Sequence, residues 1–216
     1  MNTLRLLKPA LTLAARHELA ARFEGAEIRA ILDEAFDSYD TQRPTLSLEA
    51  TVGGRTMVHF AALTIGLYRA LLSHEVPEAE ARSLTAGVTE RVYEKLAIFP
   101  TALSAIGRGS TRDRVKRATD LFRRFPFTAP AYDMVDVAAA DDVVAFDVRR
   151  CPVAEHFRAH DLSELCVASW CDLDYPLAER WGARLERSQT IAGGASHCDF
   201  RWRIPDVNAS GKSESE

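Results

Sequence analysis

Apolar residues recur every three or four positions along the first 125 residues of the chain. At this spacing Ile28 and Ile31, for example, fall on the same side of an α-helix. Residues 40–55 interrupt the pattern, and we expect Gly53-Gly54 within them to form a turn. The pattern predicts helices over 2–24, 26–38, 56–73, 77–99 and 101–125.

The least polar of these segments is 57–72, which still contains His59, Thr64 and Arg69. A membrane span needs about 18 apolar residues without such interruptions. We therefore expect a buried core helix. Its broad apolar face would also suit a second copy of the chain, so a homo-oligomer stays open.

Beyond Pro130 the pattern changes to short runs rich in β-branched residues, which are typical of strands. The runs predict two hairpins, 132–137 with 143–148 and 184–191 with 198–204. Between the hairpins, 162–181 is predicted as a helix that Pro176 bends or splits.

The predicted fold class is α+β, with a helical N-terminal two-thirds packed on a small antiparallel sheet of two hairpins. The C-terminal unit follows the order β-β-α-α-β-β. The predicted divisions are a helical region 1–130, an α+β unit 131–205 and a disordered polar tail 206–216.

Composition narrows the class of protein further. The 216 residues include 27% charged side chains and give a net charge of −4, which is typical of a globular protein. Lys and Arg form no dense stripe, so we expect no nucleic-acid partner. No signal peptide or membrane segment is predicted, which places the protein in the cytoplasm, where cysteines are usually free thiols.

All four cysteines lie in 151–203. Cys171 and Asp174 are three residues apart, so a helix would place them on one face, with Asp174 as a general base. Cys166 is five residues before Cys171 and is expected on another face. Cys198 is predicted at the start of an edge strand, where its thiol would be accessible. The alternative for Cys198 is a small buried apolar residue.

The sequence predicts no metal and no cofactor. His156 and His160 are four residues apart, but neither an H-E-x-x-H nor a C-x-x-C motif is present, and no glycine-rich phosphate loop follows a strand. A zinc-bound domain, either structural or hydrolytic, remains an alternative.

Five short motifs occur in order along the C-terminal part of the chain. They are Cys151-Pro152, Cys171-Asp172-Leu173-Asp174, Arg187-Ser188-Gln189-Thr190, Gly193-Gly194 and Cys198-Asp199-Phe200. Together they resemble the L-2-amino-thiazoline-4-carboxylic acid hydrolase family, over about the last quarter of the chain. The resemblance implies a helical cap on an antiparallel sheet. It also implies hydrolytic opening of a cyclic amidine, or cleavage of a related C–N bond, as when 2-amino-thiazoline-4-carboxylate gives N-carbamoyl-cysteine.

The resemblance implies a set of site residues, which are Cys151, Cys171, Asp174, Thr190, Gly193, Cys198 and Asp199. With the chemistry of the residues themselves, this gives two groups. The catalytic group is Cys198, Cys171, Asp174 and Asp199, with Cys198 as the preferred nucleophile. The group that binds the small-molecule substrate is Cys151, Arg187, Thr190, Gly193, Gly194 and Arg201. An arginine would hold a substrate carboxylate, but strand alternation prevents Arg187, Arg201 and Arg203 from all facing one side.

Two further functions fit the same sequence features. A non-catalytic sensor could enclose a small apolar ligand and use the cysteines for packing. Another enzyme on the same scaffold could act on a different heterocycle or amide, because the shape of the pocket selects the substrate.

Overall fold

The computed structural model describes residues 3–105 and 109–205, excluding the side chains of 3–7, 10 and 95–105. Its N-terminal part is helical, as predicted. The helices are α1 Thr3–Leu19, α2 Gly25–Gln42, α3 Val52–Ser73, α4 Glu78–Ala105 and α5 Thr111–Arg124. A single 3₁₀ turn, Arg43–Thr45, follows α2.

The expected turn at Gly53-Gly54 is wrong, because both glycines lie in the first turn of α3. The side chain of Thr51 caps this helix by accepting a hydrogen bond from the Gly54 N–H. A Cβ at Gly53 would lie 2.1 Å from the carbonyl oxygen of Pro126. The glycine is therefore needed for the close approach of α3 to the segment after α5.

The predicted helix boundary near Phe99 and Pro100 is also wrong, since α4 continues to Ala105. The chain restarts as α5 at Thr111, where Ser110 and Asp113 cap each other's backbone N–H groups. This reciprocal cap gives a local reason for a helix to begin here and not at Thr101.

The α+β class is confirmed by a four-stranded antiparallel sheet with the order β1-β2-β4-β3. The strands are β1 Asp133–Asp136, β2 Val143–Arg150, β3 Arg184–Glu186 and β4 Cys198–Arg203. The pairing of β2 with β4, which sets Val148 opposite Cys198, joins the two predicted hairpins into one sheet. The strand β4 is central, but β3 pairs only with its residues Arg201–Arg203, so Cys198 has a strand partner only in β2. The expected accessibility of the Cys198 thiol is wrong, because the residue is buried at 7% exposure.

The third strand ends at Glu186, five residues before its predicted end at Ile191. The carboxylate of Asp199 accepts hydrogen bonds from the backbone N–H groups of Ser188 and Gln189, at 3.0 and 2.8 Å. These donors are therefore satisfied by a side chain and not by a strand partner, and the chain leaves the sheet.

Between β2 and β3 the chain forms three short helices and one unusual turn. The helices are α6 Pro152–Arg158, α7 Ser163–Cys166 and α8 Asp174–Trp181, and the π segment is Val167–Cys171. In the π segment the Asp172 N–H donates to the carbonyl of Val167, five residues back. The predicted helix 162–181 is thus interrupted before Pro176, which lies in the first turn of α8.

One cluster of buried side chains runs from α1 to β4, and it includes Ile65 and Phe157, both 0% exposed. Among the described residues, α3 is the one helix long and apolar enough to cross a membrane, and 61% of that window is buried inside the protein. A core helix has the same properties, as expected for 57–72. The division at residue 130 stays a prediction, and the tail 206–216 lies outside the described residues.

Candidate functional site

A cavity of about 120 Å³ lies between the sheet, the π segment and the helices α4 and α5. We call it the cysteine cavity, because its walls include Cys151, Cys166, Cys171 and Cys198 together with Asp174 and Arg187. None of the four cysteines forms a disulfide. The fold therefore brings together thiols from the residue after β2, the end of α7, the π segment and the start of β4.

The expectation that Cys166 faces away from Cys171 is wrong. An ordinary helix separates residues five apart, but the π turn brings them to the same side. The two thiols are hydrogen-bonded, and this contact, followed by burial, raises the pKa of Cys166. The π turn has no signature in the residue pattern, so the 3.6-residue period assigned Cys166 to the wrong face.

Asp174 and Arg187 form an ion pair in the wall of the cavity. An Oδ2 of Asp174 accepts from Nη1 of Arg187 at 2.7 Å, and Nη2 of Arg187 donates to the carbonyl of Cys171 at 2.9 Å. The Arg187 side chain is only 2% exposed, and its guanidinium lies 5.2 Å from the rings of both Tyr175 and Phe200. The ion pair thus fixes the end of β3 against the start of α8.

Burial raises the pKa of Asp174 to about 6, although the charge of Arg187 opposes this shift. A carboxyl with this pKa is mostly ionised at neutral pH, yet it binds a proton far more readily than an exposed aspartate does. Asp174 can therefore accept and return a proton near neutrality, which is the property a general base requires.

Two of the thiols accept backbone hydrogen bonds. Sγ of Cys198 accepts from the N–H of Ile191 at 3.2 Å, and Sγ of Cys151 accepts from the N–H of Ala154 at 3.5 Å, where Cys151 caps α6. Burial raises the pKa of Cys198 to about 11, while the Ile191 N–H and Arg187 act in the opposite direction. Burial also raises the pKa of Cys151. Cys198 therefore needs a base to become a thiolate at neutral pH.

Three polar atoms of the cavity walls are buried and have no hydrogen-bond partner among the described residues. They are Oη of Tyr132, Nε of Arg187 and Nε1 of Trp202. A buried polar atom without a partner is costly, so such atoms in one cavity indicate a site for a polar ligand. The residue pattern does not single out Tyr132 and Trp202, because isolated aromatic residues in predicted strands are typical of a core.

The other predicted site residues lie outside this cavity as the described residues define it. They are Thr190, Gly193, Gly194, Asp199 and Arg201. Asp199 holds the backbone at Ser188 and Gln189, and Oγ1 of Thr190 accepts from the Gly193 N–H at 2.9 Å. These contacts shape the loop that presents the Ile191 N–H to Cys198.

Of the three arginines considered for a substrate carboxylate, Arg187 is the one in the cavity wall. Arg201 is paired with Asp147, and Arg203 is paired with Glu186 and Asp142. Arg187 is therefore the candidate that the geometry favours for binding a substrate carboxylate.

Across residues 3–105 and 109–205, no group of three or more His, Cys, Asp or Glu side chains is arranged to hold a metal ion. His156 and His160 are ring neighbours, with centroids 4.8 Å apart. They contact each other, but the described part of the chain supplies no third ligand of these types beside them.

Thiols, a buried carboxylate and an arginine around one small cavity are typical of an enzyme that acts on a small polar molecule. The model of the L-2-amino-thiazoline-4-carboxylic acid hydrolase family matches residues 55–202, which is more than half of the chain. The chain belongs to this family, and the resemblance based on the C-terminal motifs is confirmed. The match also includes helices α3 to α5, where those motifs are lacking. No curated protein and no solved structure matches the chain.

Proposed function

We propose that the protein hydrolyses a small cyclic amidine in the cysteine cavity, as the family name suggests for 2-amino-thiazoline-4-carboxylate. One observation carries the proposal: the thiols, Arg187 and an Asp174 carboxyl with a pKa of about 6 line the same small cavity. A volume of about 120 Å³ suits a single small ring. The family match supports hydrolysis as the type of reaction.

In the proposed first step the Asp174 carboxylate takes the proton of the Cys198 thiol, and Sγ adds to the amidine carbon of the ring. The ring sulfur then leaves that carbon and takes the proton from Asp174. The result is an isothiourea that links Cys198 to the opened substrate. The Ile191 N–H and Arg187 stabilise the Cys198 thiolate, because both favour its charged form.

In the second step Asp174 takes a proton from water, and the water oxygen adds to the same carbon. Cys198 leaves as a thiol after it takes the proton from Asp174. The remaining hydroxyl proton moves to the imine nitrogen of the substrate, and the carbon becomes the carbonyl of a carbamoyl group. Overall one water is consumed and one free thiol is formed. With N-carbamoyl-cysteine as the product, the ring bond that breaks is C–S. Cleavage of a ring C–N bond then applies only to substrates with nitrogen at that position.

Substrate binding in this proposal depends on Arg187 and on the unpartnered atoms beside it. The Nε–H of Arg187 is free to donate to a substrate carboxylate, and Oη of Tyr132 and Nε1 of Trp202 can bind the exocyclic nitrogen or the carboxylate. Asp199 does not serve as the base in this scheme, because its carboxylate is occupied by backbone N–H groups.

The setting of the reaction is part of the proposal. The partner is a small-molecule substrate, with neither nucleic acid nor a membrane involved, and a homo-oligomer stays open. The four free cysteines suit a reducing compartment such as the cytoplasm.

The test is hydrolysis of 2-amino-thiazoline-4-carboxylate, with the carbamoyl product identified by mass spectrometry. We expect Cys198→Ala to lose about 10²- to 10⁴-fold in kcat/KM and Cys171→Ala to lose less, because Cys198 carries the covalent step. If Cys198→Ala keeps near-normal turnover and Cys171→Ala loses activity, Cys171 is the nucleophile. No turnover of this compound or related cyclic amidines by the wild type would refute the proposal.

A further inference from the structure

A second and larger cavity, of about 410 Å³, lies among α1, α2, α3 and α4. We call it the apolar chamber, and Ala15, Ala35, Leu63 and Val88 line it from these four helices. No charged side chain is among its described lining residues. The chamber is open to solvent beside Val52 and Phe125, which are 64% and 56% exposed. Its volume is far larger than the small voids that remain between packed side chains.

The threonine hydroxyls and the indole N–H in the chamber wall are already satisfied by the protein. The hydroxyls of Thr56, Thr64 and Thr89 donate to carbonyls of their own helices at 2.8, 3.0 and 2.8 Å. Nε1 of Trp170 donates to Oγ1 of Thr64 at 3.3 Å. The described wall thus offers an entering molecule few polar groups, which favours an apolar occupant.

The chamber and the cysteine cavity share a wall. Tyr93, Phe122 and Trp170 line both spaces. Trp170 directly precedes Cys171 in the π segment. A residue of the shared wall is therefore bonded to a residue of the cysteine cavity. Tyr93 lies close to Asp174, whose charge adds to burial in raising the pKa of the Tyr93 hydroxyl.

Because the two cavities adjoin, we propose that the substrate carries an apolar substituent, alkyl or aryl, which reaches past the shared residues into the apolar chamber while the amidine ring lies in the cysteine cavity. The inference rests on the proposed function, since it describes the substrate of the same site. A lone five-membered ring would fill the smaller cavity and leave the 410 Å³ chamber empty. A charged substituent would lose its hydration without gaining a partner.

The size of the expected effect can be derived from the burial of methylene groups. Each buried CH₂ is worth about 0.8 kcal/mol, which corresponds to roughly a fourfold gain in affinity. Affinity should therefore rise with the length of an alkyl substituent and then reach a plateau when the chamber is full.

The test is calorimetric binding of 2-amino-thiazolines that carry alkyl chains from methyl to octyl. Ala35→Leu puts a larger side chain into the chamber, and Ala30→Leu makes the same change on the exposed side of α2. We expect dissociation constants to fall by roughly fourfold per methylene in the wild type and in Ala30→Leu. In Ala35→Leu the dissociation constant should stop falling at a shorter alkyl chain than in the wild type. Affinities independent of chain length in the wild type would overturn the inference.

A second variant covers the case in which Ala35→Leu does not fold. Leu63 is partly buried and lines the chamber, so Leu63→Ala enlarges it, and the plateau should move to a longer chain. An unchanged plateau in this folded variant would overturn the inference.

Hydrolysis is measured on the same samples, which separates the two proposals. If the ring compound is hydrolysed but affinity does not depend on chain length, only the proposal about the apolar chamber is refuted. Length-dependent binding without any hydrolysis would refute the proposed reaction and support the chamber as the site of the apolar group.

Discussion

The two cavities are neighbours with a common wall, yet they are built from different parts of the molecule. The apolar chamber is formed mainly by long helices, and no charged side chain is among its described lining residues. The cysteine cavity takes its walls from short helices, a loop and the sheet, and it contains four thiols and a buried ion pair. The long helices define a volume, whereas the irregular C-terminal segments position the reactive groups. Substitutions in the cysteine cavity should therefore affect the chemistry, and substitutions in the apolar chamber should affect which ligand binds.

The largest expected effect comes from removing the proposed base. Asp174→Asn should lower kcat/KM by about 10²- to 10⁴-fold, because an amide cannot accept the proton. Glu179→Gln is the matched control, since it makes the same change at an exposed position of α8. Steady-state kinetics on both variants, with circular dichroism to confirm folding, provide the measurement. Equal activity in the two variants would mean that Asp174 is not the base.

A large loss of stability is expected at Gly53, which lies beside the chamber-lining residues Val52 and Pro126. Gly53→Ala places a methyl group 2.1 Å from the Pro126 carbonyl oxygen, so α3 must move away from that segment. We expect the free energy of unfolding, measured in urea, to fall by about 3 kcal/mol. Gly25→Ala is the control, because its nearest contact would be a side-chain nitrogen of Arg29 at 3.7 Å. If Gly53→Ala is as stable as Gly25→Ala, the close approach that shapes the chamber is wrong.

The pH profile of hydrolysis should report the pKa of Asp174. The base must be ionised, so kcat/KM should increase about tenfold per pH unit below pH 6 and level off above that value, where the carboxylate predominates. The residual activity of Asp174→Asn should lack this acid limb. A wild-type midpoint near pH 4 would indicate that burial does not raise the pKa of the Asp174 carboxyl.

The smallest expected effect lies in the loop that supports Cys198. Gly194 has a φ of 95°, and a Cβ there would have no heavy atom within 4 Å. Gly194→Ala therefore introduces backbone strain without a clash, and we expect a loss of about 1 kcal/mol in urea unfolding. A loss as large as that of Gly53→Ala would show that this loop is packed as tightly as the helical wall.

Sequence patterns predicted the class of fold because helical and strand periodicities differ clearly. They also selected Cys171, Asp174 and Arg187, which the structure brings together. They failed where tertiary contacts override local preference. Gly53 permits a close approach of Pro126 that no local pattern reveals, and the chain leaves β3 early because Asp199 captures two backbone donors.

The chamber could not be predicted for a related reason. Residues such as Ala35 and Leu63 have the spacing of an ordinary helical core, and periodicity does not reveal whether the facing helices meet. The free polar atoms of Tyr132 and Trp202 were missed likewise, because an unsatisfied hydrogen bond is a property of three-dimensional surroundings.

The π segment also constrains how this chain can be aligned with its relatives. An α-helix turns by about 100° per residue, so deleting one residue from Val167–Cys171 would rotate α8 by that angle relative to α7. The thiol of Cys166 would then lose its contact with Cys171, even if the surrounding residues were unchanged. A relative with a one-residue gap at this point could keep the motif Cys171-Asp172-Leu173-Asp174 and still lack the arrangement of thiols seen here.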